Sequence, residues 1–550
     1  TDEGTWVRPA SPRPWDQTDT LSIRYEATPR HGLYFAGWTD STKRAPRQIW
    51  TQGQGPGHRH WVPLYDAPND KLVTETRITF DDEYQVLSNG KRLAVTQNDD
   101  GTRTWHYRMT GQHPGYVMML GIGRYDIQRM TSSSGVEIYN YYYPDQPERA
   151  GPTYRYTDRM IDIMERETDV EYPWSRYSQI PVHNFLHGGM ENTTATVFSD
   201  AYYVDARAYR DQNYVTVNAH EIAHQWFGDL VTMGRDREIW LHESFATHYA
   251  KVIERVLFGE EHYQWNRKRE RDRVLQTLDR GPVPIRYKGA GAGLVYYKGS
   301  LVLDMLKDVV GKAEFDRVIE TYLRRHAHGN VTSEHFFHLF DEVLGRNLDW
   351  FFEQWVLRGG VPHYQVSHQT ADSSGTTYTD VLVRQVHETG PLVKHFRMPI
   401  AVEVHYEDGR HVRTREWVDG AETTLRLSRK GDRAVDYVLF DPGNRVLKKQ
   451  NFERSLDERA SQFRKASNMM DRYDALVALR EAAVADKRAA LSGAFGTEPS
   501  PHVRAEIVKQ LAEDPKSTDV LEAALRDPSS TVRGTALRQV SPITDPLVDE

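Results

Sequence analysis

One five-residue segment, His220-Glu221-Ile222-Ala223-His224, places the strongest constraint on how this chain can fold. Residues four apart lie on one face of a helix, with their Cβ atoms about 5–6 Å apart. Two imidazoles at that spacing can bind one Zn²⁺, and Glu221, one position further round the helix, can reach water at the metal without being a ligand. The segment therefore predicts a helix with a metal site on one face.

Glu243 is the predicted third ligand. Between it and His224 lie 18 residues, enough for a loop and a return helix. Gly228 is predicted to end the first helix, and Trp240 to open the second. Two His and one Glu leave a fourth position for water, which is typical of a catalytic rather than a structural zinc. His242 would point about 100° away from Glu243 on a helix, so we do not expect it to bind the metal.

Composition excludes several other kinds of protein. The 550 residues predict three or four domains. A net charge of -8 and the lack of a long Lys/Arg run argue against a nucleic-acid partner. The absence of cysteine removes disulfides, thiol catalysis and thiolate metal sites. Because no apolar run reaches about 18 residues, we predict no transmembrane segment and a soluble protein, either cytoplasmic or exported.

The first half of the chain changes from strand to helix patterns. Residues 21–25 and 72–80 alternate as strands do. Turn residues at 88–90 and 99–101 are typical of hairpins. The pattern changes near Tyr125, and helical spacing is predicted to dominate from about Arg155 to about Trp355.

The second half of the chain likewise changes from strand patterns to helical patterns. Gly359-Gly360 and Pro362 break the helical pattern, and Asp408-Gly409 is a predicted hairpin turn. Strands are predicted at 379–386, 400–406, 411–418 and 424–427. Beyond about Asn451 the chain is rich in Ala, Leu and Arg and is predicted to be helical.

A weak internal repeat lies in this last segment. Glu498-Pro499 followed by Val503-Arg504 recurs 29 residues later, as Asp527-Pro528 followed by Val532-Arg533. The repeat resembles stacked helical hairpins of the HEAT type. Ordinary packing of helix pairs is the alternative interpretation.

Three motifs, in order along the chain, carry a resemblance to a known family. His220–Asp229 and the spacing to Glu243 resemble the zinc signature of the aminopeptidase N family of gluzincin metallopeptidases. Gly188-Gly189-Met190-Glu191-Asn192 resembles that family's exopeptidase motif, and Tyr296-Tyr297-Lys298-Gly299 its Y-x-K-G segment. Tyr172-Pro173-Trp174 and Trp355 also fit, so the resemblance extends from about Tyr25 to at least Pro362.

The resemblance implies a role for each motif. Glu191 would bind the free α-amine of a peptide, and Gly188, Gly189 and Met190 would hold its backbone near the metal. Tyr296 would hydrogen-bond the oxyanion of the tetrahedral intermediate. One Zn²⁺ per chain is expected. Without these motifs, Glu191 would be expected to be a surface carboxylate, and Tyr296 would equally fit a core aromatic.

The resemblance also implies a multidomain α+β fold that agrees with the order β, α, β, α. We expect a β-rich N-terminal domain over 1–125, incomplete at its start, and a thermolysin-like α/β zinc catalytic domain over 126–362. A small β-sandwich over 363–450 and a helical, HEAT-like region over 451–550 follow. The family has further strands before the segment that starts at Leu21, and the helical end stops mid-pattern at Glu550, so we expect a piece of a longer protein.

The chain departs from the family pattern at two places. His242 and Ser244 flank Glu243 where the family usually has Asn and Gly. Gln52-Gly53-Gln54 stands where many members carry a second amine-binding Glu. In this respect the chain resembles the aminopeptidase B branch, and Gln54 is the matching residue.

The function predicted from these features is removal of N-terminal residues from peptides by a zinc aminopeptidase with Glu221 as general base. A zinc endopeptidase is the nearest alternative, against which Gly188–Asn192 argues. Epoxide hydrolysis, which one relative of the aminopeptidase B branch performs, stays open as a side activity. The alternative from another class is a catalytically inactive scaffold binding partners through its helical end. The preferred N-terminal residue and the oligomeric state are not decided by the sequence.

Overall fold

The protein is described here from a computed structural model, which covers residues 11, 14, 18–42, 45–431 and 433–539. Glu550, on which part of the expectation of a longer protein rests, lies outside these residues. In chain order the described part forms a β-rich region, a mixed region of helices and a five-stranded sheet, two further sheets, and six helices. This order confirms the predicted α+β fold class. A search of the described helices finds none long and apolar enough to cross a bilayer.

The N-terminal region consists of short strands in two small sheets and one strand pair. The strands are β1 Leu33–Ala36, β2 Gln48–Thr51, β3 Lys71–Leu72, β4 Glu75–Asp81, β5 Gln85–Ser88, β6 Lys91–Gln97, β7 Thr102–Arg108, β8 His113–Pro114 and β9 Leu120–Gly123. The sheet orders are β1-β2-β9-β5 and β4-β7-β6, and β3 pairs with β8. Trp50, Val86, Leu87 and Trp105 are buried in the core that these strands share.

The predicted strand at 21–25 is wrong. Within the described residues this segment joins no sheet, and its apolar side chains are exposed, by 63% for Leu21 and 50% for Ile23. Alternating residues form a strand only where another strand completes the hydrogen bonds and one face is buried. The strand predicted over 72–80 is confirmed by β3 and β4, with a break at Val73-Thr74.

Only one of the two predicted N-terminal hairpins forms. The 99–101 turn joins β6 to β7, whose pairing is antiparallel. At Asn89-Gly90 the chain instead changes sheet, because β5 pairs with β9 and β6 with β7. The Asn89 side chain donates to the carbonyls of Val117 and Thr193 and accepts from the Met119 amide. These bonds to distant segments set the path of the chain there.

The middle region places a five-stranded sheet beside a set of helices. The strands of this middle region are β10 Asp126–Thr131, β11 Glu137–Tyr142, β12 Tyr177–Val182, β13 Gly189–Met190, β14 Ala195–Ser199, β15 Thr232–Met233 and β16 Asn330–Val331. Its helices are α1 Ala150–Thr153, α2 Thr157–Thr168, α3 Val215–His224, α4 Trp240–Phe258, α5 Glu260–Leu278, α6 Gly299–Val310, α7 Lys312–Arg325, α8 Ser333–Leu344 and α9 Asp349–Phe352. The sheet order is β10-β11-β12-β14-β13, with β11, β12 and β14 parallel and β13 antiparallel at one edge.

Five of these strands, β12 to β16, lie where helices were predicted to dominate. Both β12 and β14 are almost wholly buried. A parallel strand covered on both faces lacks the alternation that marks a half-exposed strand. The sequence therefore gives no period-two signal for either strand.

Helices α3 and α4 pack against each other and carry the predicted metal ligands. Phe227, in the loop after α3, stacks on Phe245 and Tyr249 of α4, with ring centroids 4.8 and 5.0 Å apart. Helix α3 ends at His224, four residues before Gly228, which lies in the loop with a φ of 140°. The predicted helix end is therefore wrong by one turn, whereas the predicted start of α4 at Trp240 is confirmed.

The next region contains two sheets with a shared core. The strands are β17 His363–Ser373, β18 Thr376–Gln385, β19 Met398–Tyr406, β20 His411–Val418, β21 Glu422–Lys430, β22 Val435–Phe440 and β23 Lys449–Phe452. The sheet orders are β21-β18-β17-β23 and β20-β19-β22. Val366 and Val381 of one sheet and Val402 and Val404 of the other belong to one buried cluster. All four predicted strands form, and Asp408-Gly409 joins β19 to β20.

The last described region is helical, as predicted. It comprises α10 Leu456–Lys465, α11 Met469–Ala478, α12 Val484–Phe495, α13 Pro501–Leu511, α14 Thr518–Leu525 and α15 Ser530–Gln539. Arg504 donates to the carbonyls of Glu498 and Pro499, and Arg533 makes the same bonds to Asp527 and Pro528.

The repeated residues therefore make repeated contacts. Arg504 also forms a two-bond ion pair with Asp527 of the following repeat. Arg472 does the same one step earlier, pairing with Glu498 and capping the carbonyls of Ala466 and Ser467. These repeated ion pairs support the HEAT-like interpretation. The pair formed by Arg472 is one that the sequence repeat did not reveal.

Candidate metal centre and active-site cleft

Three side chains from α3 and α4 converge at the predicted metal site. The Nε2 atoms of His220 and His224 lie 3.0 Å apart. Glu243 Oε2 lies 3.2 Å from His220 Nε2 and 3.4 Å from His224 Nε2. His224 and Glu243 are buried, and His220 is only partly exposed. The helical register therefore brings the three predicted ligand atoms into one small triangle.

This triangle fits a zinc ion. Ligands at about 2.0–2.1 Å in tetrahedral geometry stand about 3.3 Å from one another, close to the three observed separations. His224 Nδ1 lies 2.9 Å from the Phe227 carbonyl, so Nδ1 carries the proton and Nε2 is free to bind metal. The donor set of two imidazoles and a carboxylate suits Zn²⁺.

The local electrostatics also favour a cation. Burial raises the pKa of Glu221 well above its ordinary value, and the neighbouring Glu191 and Glu243 add to the rise against the opposing effect of His224. Burial opposes ionisation of Glu243 too, but the adjacent imidazoles of His220 and His224 hold its pKa below the usual range. Crowded, buried carboxylates need compensating positive charge, which a divalent ion supplies.

Glu221 faces the strand at the edge of the five-stranded sheet. A Cβ at Gly189 in β13 would lie 2.5 Å from Glu221 Oε1. A side chain at position 189 would therefore displace the Glu221 carboxylate from its present place. The position explains chemically why Gly189 stands in the predicted backbone-binding motif.

Gln225 fastens the segment after β13 to the metal-binding helix. Its Nε2 donates to the Glu191 carbonyl at 3.0 Å, and its Oε1 accepts from the Thr194 amide at 3.0 Å. Tyr172 and Trp174, noted in the sequence only for their resemblance, bond the Gln225 side chain and carbonyl. Sequence reasoning missed this role of Gln225, although its place directly after His224 was a signal that it shares that helix end.

Glu191 is 4% exposed and receives a partner from the N-terminal region. The Tyr116 hydroxyl donates to Glu191 Oε1 at 3.2 Å, across 75 residues of sequence. His242, which we did not expect to bind metal, lies with Nδ1 3.4 Å from the same hydroxyl and accepts from the Met233 amide at Nε2. Sequence reasoning missed Tyr116, because no motif surrounds it.

Tyr296 lies on a π-helical turn, Gly293–Lys298, beside the metal ligands. Its ring stacks on His220 at a centroid distance of 5.6 Å. Burial and then the charge of Glu243 raise the pKa of Tyr296, so its hydroxyl keeps its proton. Tyr297 lines the same cleft, but its hydroxyl accepts a hydrogen bond from Arg273 at 2.5 Å.

Ser244 and Gly299 hold that turn against α4. The Ser244 hydroxyl donates to the Val295 carbonyl at 2.6 Å. A Cβ at Gly299 would stand 1.7 Å from Ser244 Oγ, so glycine is what permits this contact. Ser244, a departure from the family pattern, therefore has a structural partner that the sequence did not predict.

All ten predicted site residues line one cleft of about 510 Å³. They are Gln54, Gly188, Gly189, Met190, Glu191, His220, Glu221, His224, Glu243 and Tyr296. Gln54 is exposed. The arrangement combines a predicted metal site, the carboxylate of Glu221 beside it, a protonated phenol and the buried carboxylate of Glu191 in one open space.

Comparisons with known proteins agree with this geometry. Residues 153–355 match the peptidase family M1 domain, and residues 2–117 match the peptidase M1 N-terminal domain. Together the two models cover more than half of the chain and include the metal site.

Individual relatives each match 61% of the chain. Tricorn protease-interacting factor F2 of Thermoplasma volcanium is 27% identical over 61% of this chain and 43% of its own length. Aminopeptidase N of Streptomyces lividans is 27% identical over 61% of this chain and 41% of its own. Leucyl aminopeptidase of Saccharolobus solfataricus is 25% identical over 61% and 44%. The matched segment thus spans less than half the length of each of these relatives.

A solved structure shows the same fold over most of the chain. Legionella pneumophila aminopeptidase A, in complex with aspartic acid, superimposes with a TM-score of 0.73 at 17% sequence identity. The match covers 94% of this chain and 64% of that structure. At this identity the likeness concerns the fold alone.

Proposed function

The chain belongs to peptidase family M1, a family of zinc-dependent peptidases, and from that membership we propose that it is an aminopeptidase that removes the N-terminal residue of peptides with a free α-amine. The observation that carries the proposal is the position of Glu191. This buried carboxylate lines the same cleft as the His220, His224 and Glu243 site. A negative group fixed beside the reacting centre selects a substrate whose terminal ammonium pairs with it.

The proposed metal is one Zn²⁺ per chain, held by His220, His224 and Glu243. When bound there, zinc would lower the pKa of water towards about 7 and polarise the scissile carbonyl. Two neutral imidazoles and one carboxylate leave a net positive site, which suits a step that develops negative charge.

The protein's own groups transfer the proton, stabilise the oxyanion and bind the peptide backbone. Glu221 accepts the proton of the attacking water and delivers it to the leaving amine, as a general base and then a general acid. The Tyr296 hydroxyl donates to the developing oxyanion. The backbone at Gly188–Met190 forms part of the edge strand beside Glu221, where an extended peptide can add as a further strand.

Glu191 and Gln54 set the register of cleavage. Glu191 pairs with the ammonium, and Gln54, which lines the same cleft, contributes its amide oxygen. The assignment of the chain to the aminopeptidase B branch through Gln54 stays a prediction. Because both groups close the cleft around the first residue, cleavage is expected at the first bond.

The test compares a peptide with its N-acetylated twin on the zinc-loaded protein, with products identified by mass spectrometry. The free peptide should lose one residue at a time from its N-terminus, and the acetylated peptide should stay intact, because acetylation removes the charge and adds bulk. Comparable cleavage of both, or internal cuts as fast as the first, would show an endopeptidase instead. No turnover of either by protein with a full zinc content would favour the scaffold alternative.

A further inference from the structure

The carboxylate of Glu191 ends a chain of hydrogen bonds that begins at a backbone amide. The Met233 N–H donates to His242 Nε2 at 2.6 Å. His242 Nδ1 lies 3.4 Å from the Tyr116 hydroxyl oxygen. The Tyr116 hydroxyl in turn lies 3.2 Å from Glu191 Oε1. Tyr116 is 6% exposed and His242 2%, so both are screened from solvent.

Chemistry fixes the direction of every bond in this chain. A backbone N–H can only donate, so His242 Nε2 must be an acceptor, and the ring proton therefore resides on Nδ1. Nδ1–H then donates to the Tyr116 oxygen. The Tyr116 proton is left with one acceptor in this chain, Glu191 Oε1. The tautomer is set by the fold rather than by solvent.

The position of Tyr116 in the fold connects this chain of hydrogen bonds to the part of the cleft where the substrate's amine is expected to bind. Tyr116 lies on a short 3₁₀ turn, Gly115–Val117. A Cβ at Gly53 would stand 2.3 Å from the Tyr116 carbonyl oxygen, so the segment carrying Gln54 packs directly on this turn. One element thereby positions both predicted amine-binding groups.

We propose that Tyr116 and His242 are positioning residues that aim the Glu191 carboxylate at the substrate's α-ammonium. Tyr116 occupies Oε1 and so leaves Oε2 for the ammonium, and His242 prevents Tyr116 from turning away. The proposal rests on the proposed function, since it explains how the amine is recognised. It gives His242, where the family usually has Asn, a specific task.

The test uses two inhibitors that differ only in the amine. L-alanine hydroxamate and propanohydroxamate share the metal-binding group and the carbon skeleton, but only the first has an α-ammonium. The ratio of their inhibition constants measures amine recognition alone. It is determined on zinc-loaded wild type and on Tyr116→Phe, His242→Ala, His242→Asn and Tyr107→Phe, each with its zinc content.

Tyr116→Phe should lower the ratio about ten- to a hundredfold, as for one lost hydrogen bond to a charged group, and leave propanohydroxamate binding within about twofold. His242→Ala should lower the ratio too. His242→Asn should retain most of it, because the Asn amide can supply a donor near the place of Nδ1–H. Tyr107→Phe is the matched control, since it loses a buried hydroxyl bond to the Val86 carbonyl and should keep the wild-type ratio.

Two results would overturn the proposal: an unchanged ratio in Tyr116→Phe, or an equal loss of affinity for both inhibitors. A wild-type ratio near one has a different meaning. It would show that the site does not recognise the amine at all and would count against the proposed aminopeptidase itself.

Discussion

At the scale of single residues, neighbouring side chains in the cleft have separable tasks. Glu221 and Glu243 are both carboxylates near the two imidazoles, but only Glu243 lies within 3.4 Å of both Nε2 atoms. Substitutions should therefore separate metal binding from proton transfer.

Glu221→Gln should keep zinc and lose kcat by on the order of 10²–10⁴-fold, because the amide fills the same space but cannot accept the proton. His220→Ala and Glu243→Ala should lose the metal itself. Metal content by plasma mass spectrometry, measured beside kcat, distinguishes these outcomes. Near-normal turnover in zinc-loaded Glu221→Gln would show that another group is the base.

Tyr296→Phe should lower kcat by about 10²–10³-fold, the usual effect of losing one oxyanion donor, with little change in KM. Tyr297→Phe is the matched control: it removes the neighbouring hydroxyl, which is bound to Arg273, and should leave kcat within a few-fold of wild type. Steady-state kinetics on one peptide suffices. A large loss in Tyr297→Phe and not in Tyr296→Phe would mean that the roles of the pair are reversed.

His220 and His224 could be predicted from sequence as a pair because residues four apart lie on one face of a helix. Glu243 could be predicted because the gap after His224 is long enough for a loop and a return helix. Tyr116 and Asn89 could not be predicted, since each acts on a segment 75 or more residues away. Their partners are decided by how the N-terminal sheets dock on the middle region. Local pattern carries no information about such contacts.

At the scale of elements, the π-helical turn depends on its contact with α4. The turn carries Tyr296, and its Val295 carbonyl accepts from Ser244. Gly299, directly after the turn, lies against the same serine. The position of the phenol is thus set by how closely these two elements approach.

Gly299→Ala should destabilise the protein by about 1–3 kcal/mol, because the new methyl overlaps Ser244. It should also lower kcat by displacing Tyr296. Ser244→Gly alone should cost about 1 kcal/mol through the lost hydrogen bond and the weaker helix propensity.

The double variant Ser244→Gly/Gly299→Ala removes the overlapping atoms and should be more stable than the sum of the two single changes predicts. Urea unfolding and kcat of all four proteins give the coupling. Strict additivity would mean that α4 and the turn do not constrain each other as the contact indicates.

Elements were predictable where one face is exposed and not where both are covered. Strands β18 to β21 alternate and were found, with ends shifted by a few residues. Strands β12 and β14 are buried on both faces and lack that period. The segment at 21–25 alternates but has no partner strand. Alternation therefore occurs without a strand at 21–25, and strands form without alternation at β12 and β14.

At the scale of the whole molecule, the cleft is built from several regions. The N-terminal region supplies Gln54 to the lining and Tyr116 as a partner of Glu191. Helices α3 and α4 supply the predicted metal ligands, and residues of α5 also line the cleft. The helical stack packs on α5, where Trp265 stacks on His502 at 3.8 Å.

Removal of the metal should therefore affect both activity and stability. Without zinc, α3 and α4 lose the link between His220, His224 and Glu243, and their buried carboxylates lose a compensating charge. Dialysis against a chelator should abolish peptide hydrolysis, and one equivalent of Zn²⁺ should restore it. Free zinc at about a thousandfold above its Kd should add about 4 kcal/mol to the stability of the metal-binding region.

Two variants separate this stabilisation from catalysis. Glu221→Gln retains all three ligands and should show the full zinc-dependent rise in Tm although it is inactive. His220→Ala lacks a ligand and should show little rise. Differential scanning calorimetry with and without zinc measures both. Full activity in protein stripped of metal, or an equal rise in Tm for the two variants, would contradict a single zinc held by His220, His224 and Glu243.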